Sequence, residues 1–414
     1  MTTIRPLEAD DDLTPEIDLR HRAFGPIGSG HHETLIARAQ ACVVDGRLLG
    51  AFDGGQMVGS ARYFDLRQWW HGRAMPLAGV AGVKIAPEAR GRGIGRTLMA
   101  GLLSAMAERG YPLSLLYPSS LGFYRALGWE QAGGFYLAEI PGRALTTLVP
   151  PDPQAALPGW ALPGRAGEAG GGTTLRRAGS ADAEEVLAVI GAVHAATLEC
   201  GPSTFDVDSV RRDLAGDDHF SYLADDGFLS YYWDGSMEAI EVSILRAASA
   251  RTAATLWGIV GSHAAQARTV RAVVGPRDPI GWLTAERDVE TFLRYRWMLR
   301  VIDPVAAVAG RGYPRGVHIS VALRLADAAL PKNAGCYTLS VTDGSGSLVK
   351  TGSAGDGWAP PEAVAFGPRG FAALFAGVPM ATLRVAGLAA GGDQAADSLL
   401  DCAFACVPFM IDAF

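Results

Sequence analysis

The sequence predicts a mixed α/β and α+β chain of three units, and three observations carry that reading. Its 414 residues are two to three times the length of a typical domain. A Pro/Gly-rich stretch at 149–172 breaks the apolar periodicity. The order strand, loop, helix, strand occurs before that stretch and recurs after it. With 49% hydrophobic and 19% charged residues, the chain has the material for real cores and too little charge for disorder. The net charge of −7 leaves no overall basic field for nucleic acid or anionic lipid, so neither is an expected partner. The start, MTTIRPLEADDD, is acidic where a signal peptide is basic. The nearly apolar run from Arg369 to Arg384 contains Pro379 and is too short to span a bilayer. Five cysteines (Cys42, Cys200, Cys336, Cys402, Cys406) form no CxxC and fit a reducing cytoplasm, with Cys402 and Cys406 one helical turn apart like core residues.

In chain order, the first unit (1–148) opens with a strand at Thr3–Pro6 and helices at Leu13–Phe24 and Glu33–Gln40. Strands at Arg47–Phe52 and Met57–Asp65 follow, joined by Asp53-Gly54-Gly55, whose residue types supply the positive φ of a tight hairpin. An apolar strand (Leu77–Ile85), a glycine-rich loop (Arg90–Gly95), an amphipathic helix (Ile94–Glu108) and a buried strand (Leu113–Tyr117) complete the pattern. After the 149–172 linker, the second unit (173–297) begins a strand at Thr174. It continues with a helix at Ala181–Ala196 and strands at Phe220–Leu223, Phe228–Trp233 and Ala239–Leu245. Its next loop, Leu245 to Ala253, has no glycine. The third unit (298–414) reads as a helix at Asp303–Ala309, strands at Val317–Leu323, Gly335–Val341 and Leu348–Thr351, and helices at Phe366–Phe375 and Ala395–Cys406. The clusters Trp69-Trp70 and Tyr231-Tyr232-Trp233 read as core and interface packing.

The candidate chemistry lies in the first unit. Arg90-Gly91-Arg92-Gly93-Ile94-Gly95 follows an apolar strand and opens a helix, so unpaired N–H groups and the helix dipole converge on a spot suited to phosphate. Gly93 and Gly95 keep Cβ atoms out of the way of a pyrophosphate, and Arg90, Arg92 and Arg96 add charge. The alternative is that the glycines only turn the chain. A dinucleotide fingerprint does not fit, because Gly91-x-Gly93 is followed by Arg96. A Walker loop does not fit either, because Lys350-Thr351 is preceded by Val349. His31, His32 and Glu33 lack the spacing of metal ligands and read as a solvated helix start.

The R-x-x-G-x-G/A pattern after Val80-Ala-Gly-Val-Lys-Ile-Ala-Pro resembles the acetyl-CoA loop of the GCN5-related N-acetyltransferases (GNATs). The segment Tyr117-Pro-Ser-Ser-Leu-Gly-Phe-Tyr124-Arg-Ala-Leu-Gly-Trp129 resembles that superfamily's short helix with a catalytic tyrosine. Across the whole chain the resemblance is to the enhanced intracellular survival (Eis) branch. That branch has a degenerate second GNAT-like domain and a sterol-carrier-like third domain ending in Phe. The resemblance implies an acetyl-CoA-dependent N-acetyltransferase of multi-amine small molecules such as aminoglycosides, using no metal and assembling as a homo-hexamer. It implies that backbone groups of Val83, Lys84 and Ile85 meet the thioester arm and that Gly91, Arg92, Gly93, Ile94, Gly95 and Arg96, preceded by Arg90, hold the pyrophosphate. Ser119 and Ser120 would touch the cofactor arm, Tyr124 would be the general acid, and the terminal carboxylate of Phe414 would accept the proton. The loop carries Gly91 where the branch usually has another arginine, and the carboxylate nearest the chain end is Asp412.

These residue types suit the chemistry. Amine attack on a thioester builds an oxyanion that strand amides stabilise, and it expels a thiolate that a phenol can protonate. The alternative for Tyr124 is a core tyrosine packed on Trp129. Three other functions remain open at this point: a carrier of apolar ligands, a CoA-binding protein without turnover, and an acetyltransferase of protein lysines or N-termini.

Overall fold

The computed structural model describes residues 2–25, 32–149, 174–204, 206–353 and 362–412. Apart from Val149, the predicted linker lies outside the described residues, as do His31, Ala413 and Phe414.

The first unit runs β1 (Thr3–Pro6), α1 (Thr14–Phe24), α2 (His32–Val44), β2 (Leu48–Asp53), β3 (Gln56–Trp70), β4 (Arg73–Ile85), α3 (Ile94–Glu108), β5 (Leu113–Leu116), α4 (Leu121–Arg125) and β6 (Glu130–Pro141). The second comprises β7 (Leu175–Arg177), α5 (Ala183–Thr197), β8 (Cys200–Thr204), α6 (Val207–Leu214), β9 (His219–Ala224), β10 (Gly227–Trp233), β11 (Ala239–Ala247), α7 (Ala250–Gly261), β12 (Thr269–Val274), α8 (Ile280–Leu283) and β13 (Glu290–Val301). The third comprises α9 (Pro304–Gly310), β14 (Ile319–Leu325), β15 (Gly335–Thr342), β16 (Ser345–Ser353), β17 (Val364–Phe366), α10 (Pro368–Phe375), α11 (Met380–Val385), β18 (Ala389–Gly391), α12 (Gln394–Phe404) and β19 (Phe409–Met410).

Local chemistry explains most of these elements. In α3, Ile94, Leu98, Met99, Leu102, Leu103 and Met106 recur every three or four residues and are all buried against the first unit's sheet. Each such side chain contributes about 1.5–3 kcal/mol of burial. Strands β3 and β4 are longer than the sequence suggests. They form a hairpin that extends to Trp70 and Arg73 and closes through His71 (φ 49°) and Gly72 (φ 79°). Two successive positive φ values match the right-handed twist of the flanking strands. Its tip carries Trp70 into the third unit, where the indole meets Phe375 edge-on at 4.8 Å.

The first two units form one sheet in the order β1-β2-β3-β4-β5-β13-β6-β12-β11-β10-β9-β7. Each unit lends the other its last strand. β13 inserts antiparallel between β5 (Leu299↔Leu115) and β6 (Trp297↔Gly133), while β6 pairs antiparallel with β12 (Ala138↔Ala272). The boundary expected at residue 297 therefore falls inside a strand, whose Met298 packs in the first unit's core while Trp297, Leu299 and Val301 pack in the core shared with the third unit. The third unit is a separate sheet, β16-β15-β14-β17-β18. Its core is continuous with Leu66, Trp70, Met75, Leu77 and Leu113 of the first unit. Cys402 is exposed and Cys406 lies beyond the end of α12, so the two are not the paired core positions their spacing suggests.

The strand exchange makes the first unit incomplete without residues far along the chain, because β5 and β6 otherwise carry unpaired edges. A fragment of residues 1–148 is expected to elute as aggregate and to lack a cooperative thermal transition by near-ultraviolet circular dichroism. A soluble monomer with a sharp transition would show that β13 is dispensable.

Candidate active site

The site is built where β4 and β5 part. The two strands pair in parallel only from Leu77↔Leu113 to Val80↔Leu116, so beyond Val80 one edge of β4 faces a gap. Just past this point the register against β3 shifts, from Arg62↔Ala81 to Ser60↔Lys84, leaving Gly82 and Val83 opposite Ala61. This bulge needs the positive φ of Gly82 (61°) and takes Gly82 and Val83 out of one-to-one register, pairing with β3 resuming at Lys84 and Ile85. Backbone groups of this strand end that do not face β3 are thus offered to the gap, where the resemblance puts the thioester arm.

The Lys84 side chain does something the sequence does not announce. It is buried and its Nζ donates to Glu16 Oε1 at 2.5 Å, with side-chain exposures of 1% and 4%. Burial pulls the Lys84 ammonium below its ordinary pKa, and the Glu16 carboxylate works against that pull. The pair ties α1 to the bulged strand, fixing the backbone that lines the gap. The available signal for Glu16 is its place on α1, three residues before Leu19 on the one buried face of that helix.

The glycine-rich loop turns onto α3. Gly93 caps the helix at φ 80°, and Gly91 stands at φ 76°. A Cβ at either would meet open space, so these glycines are needed for backbone conformation. Gly95 differs: its φ is not positive, and a Cβ there would sit in ordinary contact 3.4 Å from the Phe123 ring and 3.6 Å from Ile85. The N–H groups of Arg96 and Thr97 both donate to the Gly93 carbonyl. Those of Ile94 and Gly95, in the first turn, have no intrahelical acceptor and point out of the helix start. The three arginines are not equivalent. Arg92 is clamped by Asp53 at 2.6 Å, Arg90 donates through Nε to the Ile85 carbonyl at 3.3 Å, and Arg96 is exposed. The Asp53 clamp explains why the β2–β3 hairpin belongs to the loop's surroundings.

Across the gap, β5 leads through Tyr117 to Ser119, Ser120 and α4. Tyr124 is buried, with its ring edge-on to Phe123 at 5.0 Å. Burial raises the Tyr124 phenol pKa, and a hydrogen bond with Ser119 opposes the rise. The phenol is therefore protonated at neutral pH, as a proton donor must be. The Leu127 and Trp129 N–H groups both donate to the Tyr124 carbonyl, closing the turn into β6. Glu130, 4% exposed, is gripped by Arg125 at 2.8 Å and by Arg369 of α10 at 2.6 Å. Burial would raise its carboxyl pKa, but Arg125, the Gln131 N–H and Arg369 hold it low.

The chain's last described residues arrive at the same place. β19 pairs in parallel with β6 (Phe409↔Gly134), and the Tyr117 hydroxyl donates to the Asp412 carbonyl at 2.7 Å. The structure thus brings the segments carrying Val83, Lys84, Ile85, Ser119, Ser120 and Tyr124 to one gap with the glycine-rich loop at its end. Phe414 lies outside the described residues. Of His31, His32 and Glu33, only the helical backbone of the last two is described. Among the described residues, no group of three His, Cys, Asp or Glu could hold a metal, and no helix is long and apolar enough to cross a membrane.

The second unit repeats β4–α3–β5 as β11–α7–β12, again with parallel strands (Ile240↔Val270). Its helix start is closed by its own side chains: Ser249 accepts from the Thr252 N–H at 3.2 Å, and the Thr252 hydroxyl donates to Asp226. The ends of β11 and β12 carry a buried Arg246–Asp278 pair at 3.4 Å and the Phe409 ring, 5.2 Å from the Arg246 guanidinium. A cavity of about 950 Å³ lies between this unit and the third, lined by Leu245, Trp257, Leu374 and Phe404 among others. It is distinct from the β4–β5 gap.

Comparison with known proteins agrees with this layout. Models of the acetyltransferase (GNAT) domain match residues 3–132 and 208–301, and a sterol carrier protein domain matches 304–410. A GCN5-related N-acetyltransferase from Kribbella flavida is 37% identical, with all of this chain and 98% of that one covered at a TM-score of 0.88. The N-acetyltransferase Eis of Mycobacterium tuberculosis (strain ATCC 25177 / H37Ra) is 27% identical over 346 residues, 80% of each chain. Eis1 from Mycobacterium abscessus, 22% identical, shares the fold over both full chains at a TM-score of 0.76. With two acetyltransferase folds that exchange strands and a sterol-carrier-like third unit, the chain belongs to the GCN5-related N-acetyltransferases, in their Eis branch.

Proposed function

We propose that this N-acetyltransferase moves the acetyl group of acetyl-CoA to an amino group of a soluble multi-amine small molecule, aminoglycosides being the class that the family likeness suggests. The observation that carries this reading is the gap between β4 and β5. A bulged strand edge and a helix start with unpaired N–H groups flank it, and a buried, protonated tyrosine stands on the short helix that follows β5. The residues fit the cofactor. Gly91, Gly93, Ile94 and Gly95 would receive its pyrophosphate with charge from Arg90 and Arg96, and Ser119 and Ser120 would border its arm. Bound there, acetyl-CoA supplies an acyl group activated as a thioester. Strand amides of Val83 to Ile85 would stabilise charge that develops on the carbonyl oxygen, and Tyr124 would protonate the departing sulfur.

The ammonium proton needs an acceptor, and we assign it to the terminal carboxylate of Phe414, two residues beyond Asp412. An α-carboxylate of ordinary pKa, about 3.3–3.7, is a weak base toward an alkylammonium of about 10. Desolvation in a closed cleft would bring the two values together, so transfer can be concerted with attack. The docking of Asp412 on Tyr117 supports this assignment because it ends the described chain beside the gap. A cytoplasmic homo-hexamer is the assembly the family likeness suggests, and sedimentation velocity tests it directly.

Release of free thiol from acetyl-CoA across a panel of amines tests the whole reading, with multi-amine acceptors expected to turn over fastest. Calorimetric titration should find one acetyl-CoA site per chain, because Ser249 and the Thr252–Asp226 contact close the second unit's helix start, and its loop lacks the glycines of the first. Two sites per chain would contradict that.

Tyr124→Phe should keep the melting temperature and cofactor affinity while losing about 10²- to 10⁴-fold in turnover. Turnover within about twofold of the parent would make the phenol structural.

Adding one Gly after Phe414 keeps the ring and moves the carboxylate by about 3.5 Å. Acetyl transfer should collapse while melting temperature and cofactor affinity hold; unchanged turnover would leave Phe414 with a packing role only.

A further inference from the structure

A second cluster of reactive groups lies away from the β4–β5 gap, and nothing in acetyl transfer uses it. Arg311, just past α9, is 1% exposed. Its guanidinium donates to the backbone carbonyls of Phe375 and, at 3.1 Å, of Phe404, and its Nη2 lies 3.5 Å from Cys406 Sγ. Four aromatic rings surround it: Trp70, Tyr313, Phe375 and Phe404, with centroids 5.4, 5.6, 4.9 and 5.0 Å from the guanidinium carbon. Its Nε has no partner. A buried guanidinium is expensive unless a negative charge stands beside it. Carbonyls and ring faces supply only partial charge. The group among these contacts that can carry a full negative charge near neutral pH is the Cys406 thiol.

Cys406 does not stand alone. Its neighbour is Cys200 at the start of β8, whose thiol donates to the Leu198 carbonyl at 3.8 Å and whose sulfur accepts from the His71 N–H at 3.1 Å. Cys200 and Arg311 push the Cys406 thiol below its ordinary range against burial, while Cys406 and burial push Cys200 up. The Arg311 guanidinium beside Cys406 thus favours the charge there. Both residues line the cavity of about 950 Å³ between the second and third units, so a small molecule entering it meets the pair. Cys402, on α12, is more exposed than either.

We propose that Cys200 and Cys406 form a dithiol site that reacts with low-molecular-weight disulfides, Cys406 attacking and Cys200 resolving. In the first step the Cys406 thiolate bonds to one sulfur of the disulfide, and the other sulfur leaves as a thiolate. In the second, Cys200 gives its proton to that departed thiolate and attacks the Cys406 sulfur, and the second small thiolate leaves and takes a proton from water. The protein pair loses two electrons, and the disulfide is reduced to two thiols. The new bond would fasten the start of β8 to the segment that continues through β19 to Asp412, the strap that Tyr117 holds at the acetyl-transfer site.

The test uses the full-length protein, reduced, desalted and treated with oxidised glutathione, then quenched with iodoacetamide and mapped by tryptic mass spectrometry. Wild type is expected to lose two of its five thiols as a Cys200–Cys406 linked peptide that retains no glutathione, with dithiothreitol restoring all five. In Cys200→Ser, glutathione should accumulate on Cys406 at one per chain. In Cys406→Ser, Cys200 should remain unmodified. Glutathione on Cys402 alone, with Cys200 and Cys406 both recovered as alkylated thiols, overturns the proposal. So does a Cys200→Ser protein that melts like wild type yet takes no glutathione on Cys406. If the serine variants fail to fold, the wild-type peptide map decides by itself: the linked peptide supports the site, and its absence rejects it.

Discussion

Everything at the candidate site depends on how the two edges of β5 are satisfied. All four of its residues pair with β4 on one edge, and its other edge needs a partner as well. β13 supplies it, pairing with Leu113–Leu116, and in turn accepts β6 along most of its length. The strand that borders the gap is therefore held in place by a strand from the far end of the second unit. Because β6 reciprocates by completing the sheet beyond β12, neither unit has a finished sheet of its own. The second unit's persistence in the chain has a structural reason apart from any ligand: it carries the strand that closes the first.

The two units also show how one arrangement of elements is turned toward or away from anion binding. In both, a strand runs into a helix whose first-turn N–H groups need acceptors. In the first, Gly93 caps α3 with no side chain, and the donors of Ile94 and Gly95 stay available. In the second, Ser249 accepts from the first turn of α7, and Asp226 binds Thr252. The difference is a matter of a few side chains that consume the donors, with the backbone layout unchanged.

The third unit is joined to this chemistry at three points. Arg369 shares the Glu130 carboxylate with Arg125 below α4, Phe375 receives the Trp70 indole at the tip of the β3–β4 hairpin, and β19 extends the chain along β6 to Tyr117. The Glu130 and β19 contacts adjoin segments that border the gap, while the Trp70 contact holds the far end of the β3–β4 hairpin. Arg311 lies where the first and third units meet, ringed by aromatics from both.

By itself the sequence determined what neighbouring residues decide. The α3 helix from Ile94 to Glu108, the Asp53-Gly54-Gly55 turn and the left-handed glycines before α3 follow from periodicity and from φ values that glycine alone adopts cheaply. The loop and the Tyr117–Trp129 segment were recognisable because their residues are contiguous. Tertiary structure alone decided which strand lies beside which, since β13 meets β5 across nearly two hundred residues and an apolar run does not name its partner. For the same reason, the sequence reading ended β3 at Asp65 and placed a boundary at 297. The Lys84–Glu16 pair, the Arg92–Asp53 clamp and the docking of Asp412 on Tyr117 are likewise meetings of groups distant in sequence. Charge and hydrogen-bonding capacity can be read from each residue alone. Whether that capacity faces water, a ligand or another side chain is settled only when the chain closes on itself.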